Sequence, residues 1–514
     1  MPLQLVFIFT QMIVKREEAK RQREEEQEDE NKEVSHPLDA IMEQVELERK
    51  RKAHPSLQWK GKMIAPGQEA GNIYSKRQKR VQAQGKSSVP SLFSICVDFL
   101  VTHFEHVEAL GDIDSTIRRE VCNELVAKNK LTGEAFDVIA EVGMEALELI
   151  DCAEITQEQL ADALKKLLPA GLRFLLLHHS GRCFGPMAIQ AICAQPNSEL
   201  FAISIAGAYL LSDTDTSLLL DATAKHLSSI EFKACPNLRS DFCKAINSNF
   251  SSTGSGTLLE LSLENLKLSK EDLMSLSDTD AVRNLKSLTL RQIDTVDDDV
   301  VTQLLEKVGN NLEGIDLSFC FQITDASLSA IRSCNVGGAL RSLQLSGLRH
   351  LTEVGLEALF TPVIQGLPSP PMLRKLDVSG CHYEAVSDTV LDLICRASSM
   401  KRDSGGEISQ HLSSMGGLVY VNVNGSSCTD ISMESLAATA ASSLKELNIS
   451  FTSKVSDKGL GYLVSKASSQ LSKIQIWGCA QITDEFLDGH ARITDPGLQV
   501  IGAWIKKGNT VSSR

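Results

Sequence analysis

The most reactive side chains in this 514-residue chain are its thirteen cysteines and eleven histidines. Thirteen is an odd number and no two cysteines form a C-x-x-C pair, which argues against a disulfide framework or a zinc site. Five of them (Cys152, Cys235, Cys320, Cys381, Cys479) occupy one position of a repeated pattern. That register predicts small buried thiols, and hence a reducing compartment. His178-His179 and the scattered acids show no nucleophile elbow, metal-ligand spacing or phosphate loop. One chemistry needs only a single exposed side chain, the arginine finger of a GTPase activator. Arg291 is the only basic residue well placed for it on a strand face. No catalytic residue, cofactor or metal is expected.

The pattern that sets this register is clearest in Leu312-x-x-Ile315-x-Leu317-x-x-Cys320-x-x-Ile323-Thr324-Asp325-x-x-Leu328-x-x-Ile331. Twelve copies begin at Met144, Leu172, Leu200, Leu227, Leu258, Leu285, Leu312, Leu340, Leu373, Leu418, Leu444 and Leu471, mostly 26 to 28 residues apart. Period and core together are those of Cys-type leucine-rich repeats, so the expected fold is an α/β right-handed solenoid. The L-x-x-L-x-L segment alternates apolar and polar residues and should form a short strand, the strands aligning into a parallel sheet on the concave side. Ser or Thr stands second in the I-T-D portion in nine of the twelve copies, as at Thr156, Thr324, Ser387, Ser456 and Thr483. It should cap a helix whose positive end the following Asp complements. Leu131 to Ile139 reads as a half repeat shielding the first coil. Insertions near Pro362–Pro371 and after Cys395 read as tolerated loops.

On the inner wall the outward strand position reads Asp316, Gln344, Asp377, Asn422, Asn448 and Gln475, with Phe319, Tyr420, Phe451 and Trp477 at its edge. This stripe is polar, mildly acidic and without the cation row that phosphate recognition requires. Exposed aromatics rimmed by hydrogen-bonding groups suit a protein partner. The alternative is that the rings pack onto neighbouring coils.

Net charge is −14, unevenly spread. Residues 49–86 carry eleven Lys/Arg against one Glu, whereas residues 91–514 carry 35 basic against 52 acidic groups. The repeats should therefore repel nucleic acid, and any phosphate contact should come from the tail. Residues 1–90 read as a charged, disordered tail, in which Lys76, Arg77, Lys79 and Arg80 fit a nuclear-import signal and Arg49-Lys50-Arg51-Lys52 forms a second cluster. A charged tail that imports nothing is the alternative. The first fourteen residues are apolar but too short to span a bilayer, with neither a basic start nor a cleavage site. A misassigned start or a fraying helix end is expected there, and no membrane association.

From Ser91 the composition becomes that of an amphipathic helix, and Ser115 to Ala127 reads as a second helix capped by Asp114 or Ser115. Ser91-Leu92-x-x-x-Cys96-x-x-x-Leu100 resembles the box by which receptor subunits dock elongin C, with Leu92, Cys96 and Leu100 on one helical face. An ordinary core helix would show the same spacing. The box is followed by Val107-Glu-Ala-Leu-Gly-Asp-Ile113, a helix, Cys-type repeats and Trp477-Gly-Cys-Ala-Gln-Ile-Thr-Asp-Glu-Phe-Leu-Asp-Gly-His490. Over nearly all of residues 91–490 this succession resembles the RAD-seven-type DNA repair proteins of fungi and plants. The resemblance implies a nuclear, non-catalytic partner in nucleotide excision repair. It would work with a Swi/Snf-type ATPase and serve as substrate receptor of an elongin–cullin ubiquitin ligase. Leu92 and Cys96 would touch the adaptor and the solenoid would read the substrate. Two departures stand out. A cysteine-rich zinc-like segment is missing before Ser91, and Ile493-Thr494-Asp495 follows Ile482 too closely for another full coil.

The expected organisation is thus a tail (1–90), a helical adaptor segment (91–128) and a solenoid (129–514). An F-box receptor in general protein turnover, DNA binding through residues 49–86, and a GTPase regulator are the alternatives.

Overall fold

The computed structural model describes residues 91–514, except 112, 309, 363–367, 403–407, 410–416, 484–485, 487–497, 503, 508–509 and 514. The chain divides into two compact units, residues 1–102 and 103–514. In the first, the described chain is one helix, α1 (Leu92–Thr102).

The second unit opens with α2 (Ser115–Ala127) and α3 (Gly133–Ile139) and then alternates strand and helix. The order is β1 (Ala146–Leu149), α4 (Gln157–Leu167), β2 (Phe174–Leu177), α5 (Pro186–Cys193), β3 (Ala202–Ala206), α6 (Asp213–Thr223), β4 (Ser229–Lys233), α7 (Ser240–Phe250), β5 (Glu260–Glu264) and α8 (Lys270–Ser275). Then come β6 (Ser287–Arg291), α9 (Asp298–Lys307), β7 (Gly314–Asp316), α10 (Asp325–Cys334), β8 (Ser342–Gln344), α11 (Glu353–Phe360), β9 (Lys375–Asp377) and α12 (Asp388–Ser399). After the short antiparallel pair β10 (Lys401–Arg402) and β11 (Ile408–Ser409) follow β12 (Tyr420–Asn422), α13 (Asp430–Thr439), β13 (Glu446–Asn448), α14 (Asp457–Lys466), β14 (Lys473–Gln475) and β15 (Gln499–Ile501). A second antiparallel pair, β16 (Trp504–Lys507) and β17 (Thr510–Ser513), ends the chain.

Thirteen strands, β1 to β9 and β12 to β15, form one open parallel sheet in sequence order, the leucine-rich-repeat architecture expected. Its inward residues, such as Leu147, Leu261, Ile315, Leu376, Leu447 and Ile474, are at most 2% exposed. Each contributes roughly 1.5–3 kcal/mol by leaving water. Thr156, Ser212, Ser269, Thr324, Thr352, Ser387, Thr429 and Ser456 cap the helices that follow them, their hydroxyls accepting from first-turn N–H groups. Asp114 caps α2 through Thr116 N–H at 2.8 Å.

The Asp after the cap does more than oppose the helix dipole. Asp298 accepts from Thr324 N–H (3.0 Å), Thr324 Oγ1 (2.6 Å), Ser327 N–H (3.2 Å) and Ser327 Oγ (2.5 Å), all in the next coil. Asp325 holds Thr352, Asp388 holds Thr429 and Ser432, Asp430 holds Ser456 and Asp457 holds Thr483 in the same way. The repeated acid is a clasp between coils.

The repeat-position cysteines are free thiols, with Cys152, Cys235 and Cys320 fully buried. Cys320 Sγ donates to Leu290 O (3.0 Å), Cys381 Sγ to Leu345 O (3.2 Å) and Cys479 Sγ to Ile449 O (3.1 Å), each acceptor lying one coil back. Burial pushes the Cys235 and Cys320 thiols up to about 11 and that of Cys381 up to about 12.

One expectation about the C-terminus is corrected. Ile493-Thr494-Asp495 does follow Ile482 closely, but Leu498, 27 residues after Leu471, sets the register of a thirteenth strand. Leu498 is 7% exposed, and Gln499 and Ile501 pair with Lys473 and Gln475 of β14.

The returning arm of the Pro362–Pro371 insertion is tied to α10 through Arg332. Arg332 is 1% exposed and donates to the carbonyls of Ala358 (2.9 Å), Leu359 (2.7 Å), Thr361 (2.9 Å) and Pro368 (2.9 Å). It closes the C-terminal end of α11 and pins the returning chain.

Candidate partner-binding surfaces

Ser91 starts α1, its hydroxyl accepting from Ser94 N–H at 3.0 Å. Val97 and Val101 are buried, while Leu92, Ile95 and Phe99 are 56%, 50% and 48% exposed. Cys96 and Leu100 are half-buried. At 100° per residue, Leu92, Ile95, Cys96 and Phe99 share one arc and Leu100 lies at its margin. Three large apolar side chains thus stand half in water on an eleven-residue helix. The sequence reading singled out Leu92, Cys96 and Leu100 and missed Ile95 and Phe99, although their i+3 and i+7 spacing from Leu92 was there to be read.

On the outer face of the sheet two expected outward residues are corrected. Asp316 and Asn422 are only 6% and 8% exposed. Their side chains turn back on the chain to fix its exit from the strand: Asp316 accepts from Ser318 N–H (2.9 Å) and Asn422 from Asn424 N–H (3.3 Å). Asp377 and Asn448 do the same for Ser379 (3.0 Å) and Ser450 (3.0 Å), though both remain half-buried. Asp377 also accepts from Ser346 Oγ (2.6 Å) and Asn422 Nδ2 (2.9 Å). Gln344 and Gln475 stand in the same half-buried row.

Beyond each strand of the sheet from β2 onward the backbone turns through a left-handed residue, from His179 through Gly207, Ala234, Asn265, Gln292, Phe319, Gly347, Gly380, Gly425, Phe451 and Gly478 to Gly502. Six of these twelve are glycine, the residue suited to positive φ. Phe319 (φ 62°) and Phe451 (φ 57°) are not, and a bulky residue there carries strain. The ring of Phe319 lies where a side chain on Gly347 would stand, 2.6 Å from that Cβ position, and Phe451 does the same over Gly478 at 2.6 Å. Trp477 covers Gly502 likewise. The rings therefore pack on neighbouring coils and still face water: Phe451 is 61% and Trp477 37% exposed, while Phe319 and Tyr420 are half-buried.

Arg291 is not the lone strand-face cation. Lys233 and Arg291 flank Glu264 in register, at 2.9 and 3.8 Å, and Arg291 lies 5.3 Å from the Phe319 ring centre. Lys375 sits over Tyr420 at 5.6 Å, and Lys473 pairs with Glu446 at 3.4 Å. Neighbouring acids and rings stand against each of these cations.

At the other end of the sheet, a cavity of about 780 Å³ lies between α2 and β1, with Arg118, Arg119, Glu141, Glu148 and Phe174 among its lining residues. Arg119 pairs with Glu148 across it at 3.6 Å. Among the described residues no group of His, Cys, Asp and Glu could hold a metal ion, and no helix is long and apolar enough to cross a membrane. Lys76, Arg77, Lys79, Arg80 and the whole 49–86 stretch lie outside the described residues.

No family model matches the chain. It is 24% identical over 423 residues to the DNA repair protein rhp7 of Schizosaccharomyces pombe, an alignment covering 81% of this chain and 66% of that protein. Among solved structures it is similar to a chain in the crystal structure of the yeast Rad7 and Elc1 complex. The TM-score is 0.52 at 15% identity, over 92% of this chain and 99% of that one. The kind of protein that the box and the Cys-type repeats resemble, the RAD-seven type, is the one that the sequence and fold comparisons both return.

Proposed function

We propose that this chain is a non-catalytic DNA repair scaffold with an elongin C-type partner, more finely a substrate receptor of a cullin-type ubiquitin ligase in nuclear nucleotide excision repair. In this reading residues 91–128 dock the adaptor and residues 129–514 read the protein substrate. A Swi/Snf-type ATPase is the companion that the family resemblance implies, and Lys76, Arg77, Lys79 and Arg80 direct nuclear import. The observation that carries the reading is the half-exposed apolar stripe of Leu92, Ile95 and Phe99 beside Cys96, which a partner helix or pocket would cover. Support comes from rhp7, named as a DNA repair protein, and from the solved complex of Rad7 with Elc1.

The test is co-purification of the full chain with elongin C. Leu92→Ala with Cys96→Ala should abolish capture, and Phe99→Asp alone should do the same by placing a charge in the stripe. Retained capture by both variants would sink the adaptor assignment, and capture of an F-box adaptor instead would favour that alternative. The excess of ten positive charges in residues 49–86 supports a second role, DNA contact through the tail. Its affinity should fall steeply with salt and vanish when the segment is deleted. Equal binding by the repeats alone would refute it.

A further inference from the structure

The last four strands of the sheet present a surface of almost no net charge. From β12 to β15 the outward positions read Tyr420, Glu446, Asn448, Lys473, Gln475, Gln499 and Ile501, with Asn422 turned back onto the chain. The only two charges among them neutralise each other, Lys473 on Glu446 at 3.4 Å. Between β4 and β6, by contrast, stand Glu231, Lys233, Glu260, Glu264 and Arg291.

Neutrality here comes with unfilled hydrogen-bonding capacity. Among the described residues no hydrogen bond engages the side-chain amides of Asn424 or Gln475, and Asn448 uses only its oxygen, toward Ser450 N–H. Asn448 and Gln475 form a row in register across β13 and β14, about 4.8 Å apart, and Asn424 lies two residues beyond the paired position of β12. Beside the row stand the rings of Phe451 and Trp477, 61% and 37% exposed and each laid over the glycine of the next coil.

We propose that β12 to β15 bind an uncharged, extended peptide segment of the substrate. Asn424, Asn448 and Gln475 hydrogen-bond its main chain, and one bulky apolar side chain rests on the Phe451–Trp477 shelf. This rests on the reader role proposed above and names what is read. Amide side chains match peptide groups as both donor and acceptor, and a charged segment would lose hydration without gaining an opposite charge.

The experiment pans a random dodecapeptide phage library on the full chain and measures the enriched peptides, as synthetic probes, by fluorescence polarisation. The enriched sequences should share an uncharged core with one large apolar residue. Phe451→Ala and Trp477→Ala should weaken binding by about tenfold or more, and Glu264→Gln by less than about twofold. Gln475→Lys alters the row without touching the core, and panning on it should recover acidic peptides instead. Cationic peptides whose binding depends on Glu231 and Glu264 would overturn this inference and leave the receptor reading standing. Failure to enrich any peptide that depends on an outer-face residue would overturn both.

Discussion

Removing the carboxylate of Asp298 tests the idea that the repeated acid joins coils rather than merely starting a helix. Four donors from the next coil converge on it at 2.5 to 3.2 Å. Bonds to a charged group are worth roughly 1.5–3 kcal/mol each, but four on one half-buried carboxylate are far from additive. Asp298→Ala should therefore cost about 3 kcal/mol, and Asp298→Asn about half that because one acceptor oxygen remains. Urea unfolding followed by far-ultraviolet circular dichroism reads the loss. Because coils touch only their neighbours, the transition should also broaden or split near this joint. A double-mutant cycle with Thr324→Val should return a coupling of about 1–2 kcal/mol. The pH dependence follows the same bonds. Burial raises the Asp298 carboxyl, but the hydrogen bonds from Ser327 and Thr324 outweigh it and hold the group below the ordinary carboxylate range. A depressed folded value means that the contribution is complete above about pH 4 and is lost as pH falls through that lowered value. Asp298→Asn should flatten that acid limb. A cost under about 0.5 kcal/mol, or an additive cycle, would refute the clasp.

Arg332→Ala should destabilise the chain by about 3–5 kcal/mol, since it leaves buried carbonyls unpaired, and Lys should not rescue because it lacks the planar fork. Thermal unfolding, with limited proteolysis in the Pro362–Pro371 region, checks both. Gly478→Ala should cost about 2 kcal/mol: φ is 69° and the new methyl would meet Phe451 Cδ1 at 2.6 Å. Adding Phe451→Gly should recover part of that in denaturant titration. With thiols raised to about 11, Cys235 and Cys320 should resist alkylation at about pH 8 in the native chain and react after denaturation, with mass spectrometry as the readout. Labelling of the native chain at the rate of exposed Cys193 would contradict their burial.

Much of the fold was legible because a repeat states its own geometry many times. The leucine period fixed the strands, the Ser and Thr positions fixed the caps, and the aligned cysteines marked buried thiols. What was missed shares a physical cause: each feature depends on contact between coils. The clasp Asp looks like an ordinary first-turn acid until the next coil's cap is placed beside it. Leu498 was overlooked because the conspicuous Ile493-Thr494-Asp495 drew the register, although the 27-residue interval from Leu471 was intact. On the sheet face, strand alternation pointed Asp316 and Asn422 outward, but both side chains fold back onto the N–H two residues on and are nearly covered. For α1, the box motif drew attention to Leu92, Cys96 and Leu100, and helical geometry adds Ile95 and Phe99.

The 45-residue interval between Leu373 and Leu418 leaves the ladder untouched: Lys375, Leu376 and Asp377 of β9 meet Tyr420, Val421 and Asn422 of β12 in the same pairing that joins coils 27 residues apart, such as β6 and β7. The sheet counts turns, not residues. Surplus chain can be paid out after a helix without shifting any rung, so a fluorophore or tag spliced between α12 and β12 should travel with the molecule as a silent passenger. The same indifference to spacing gives evolution a place to graft new contacts while the reading surface stays in step.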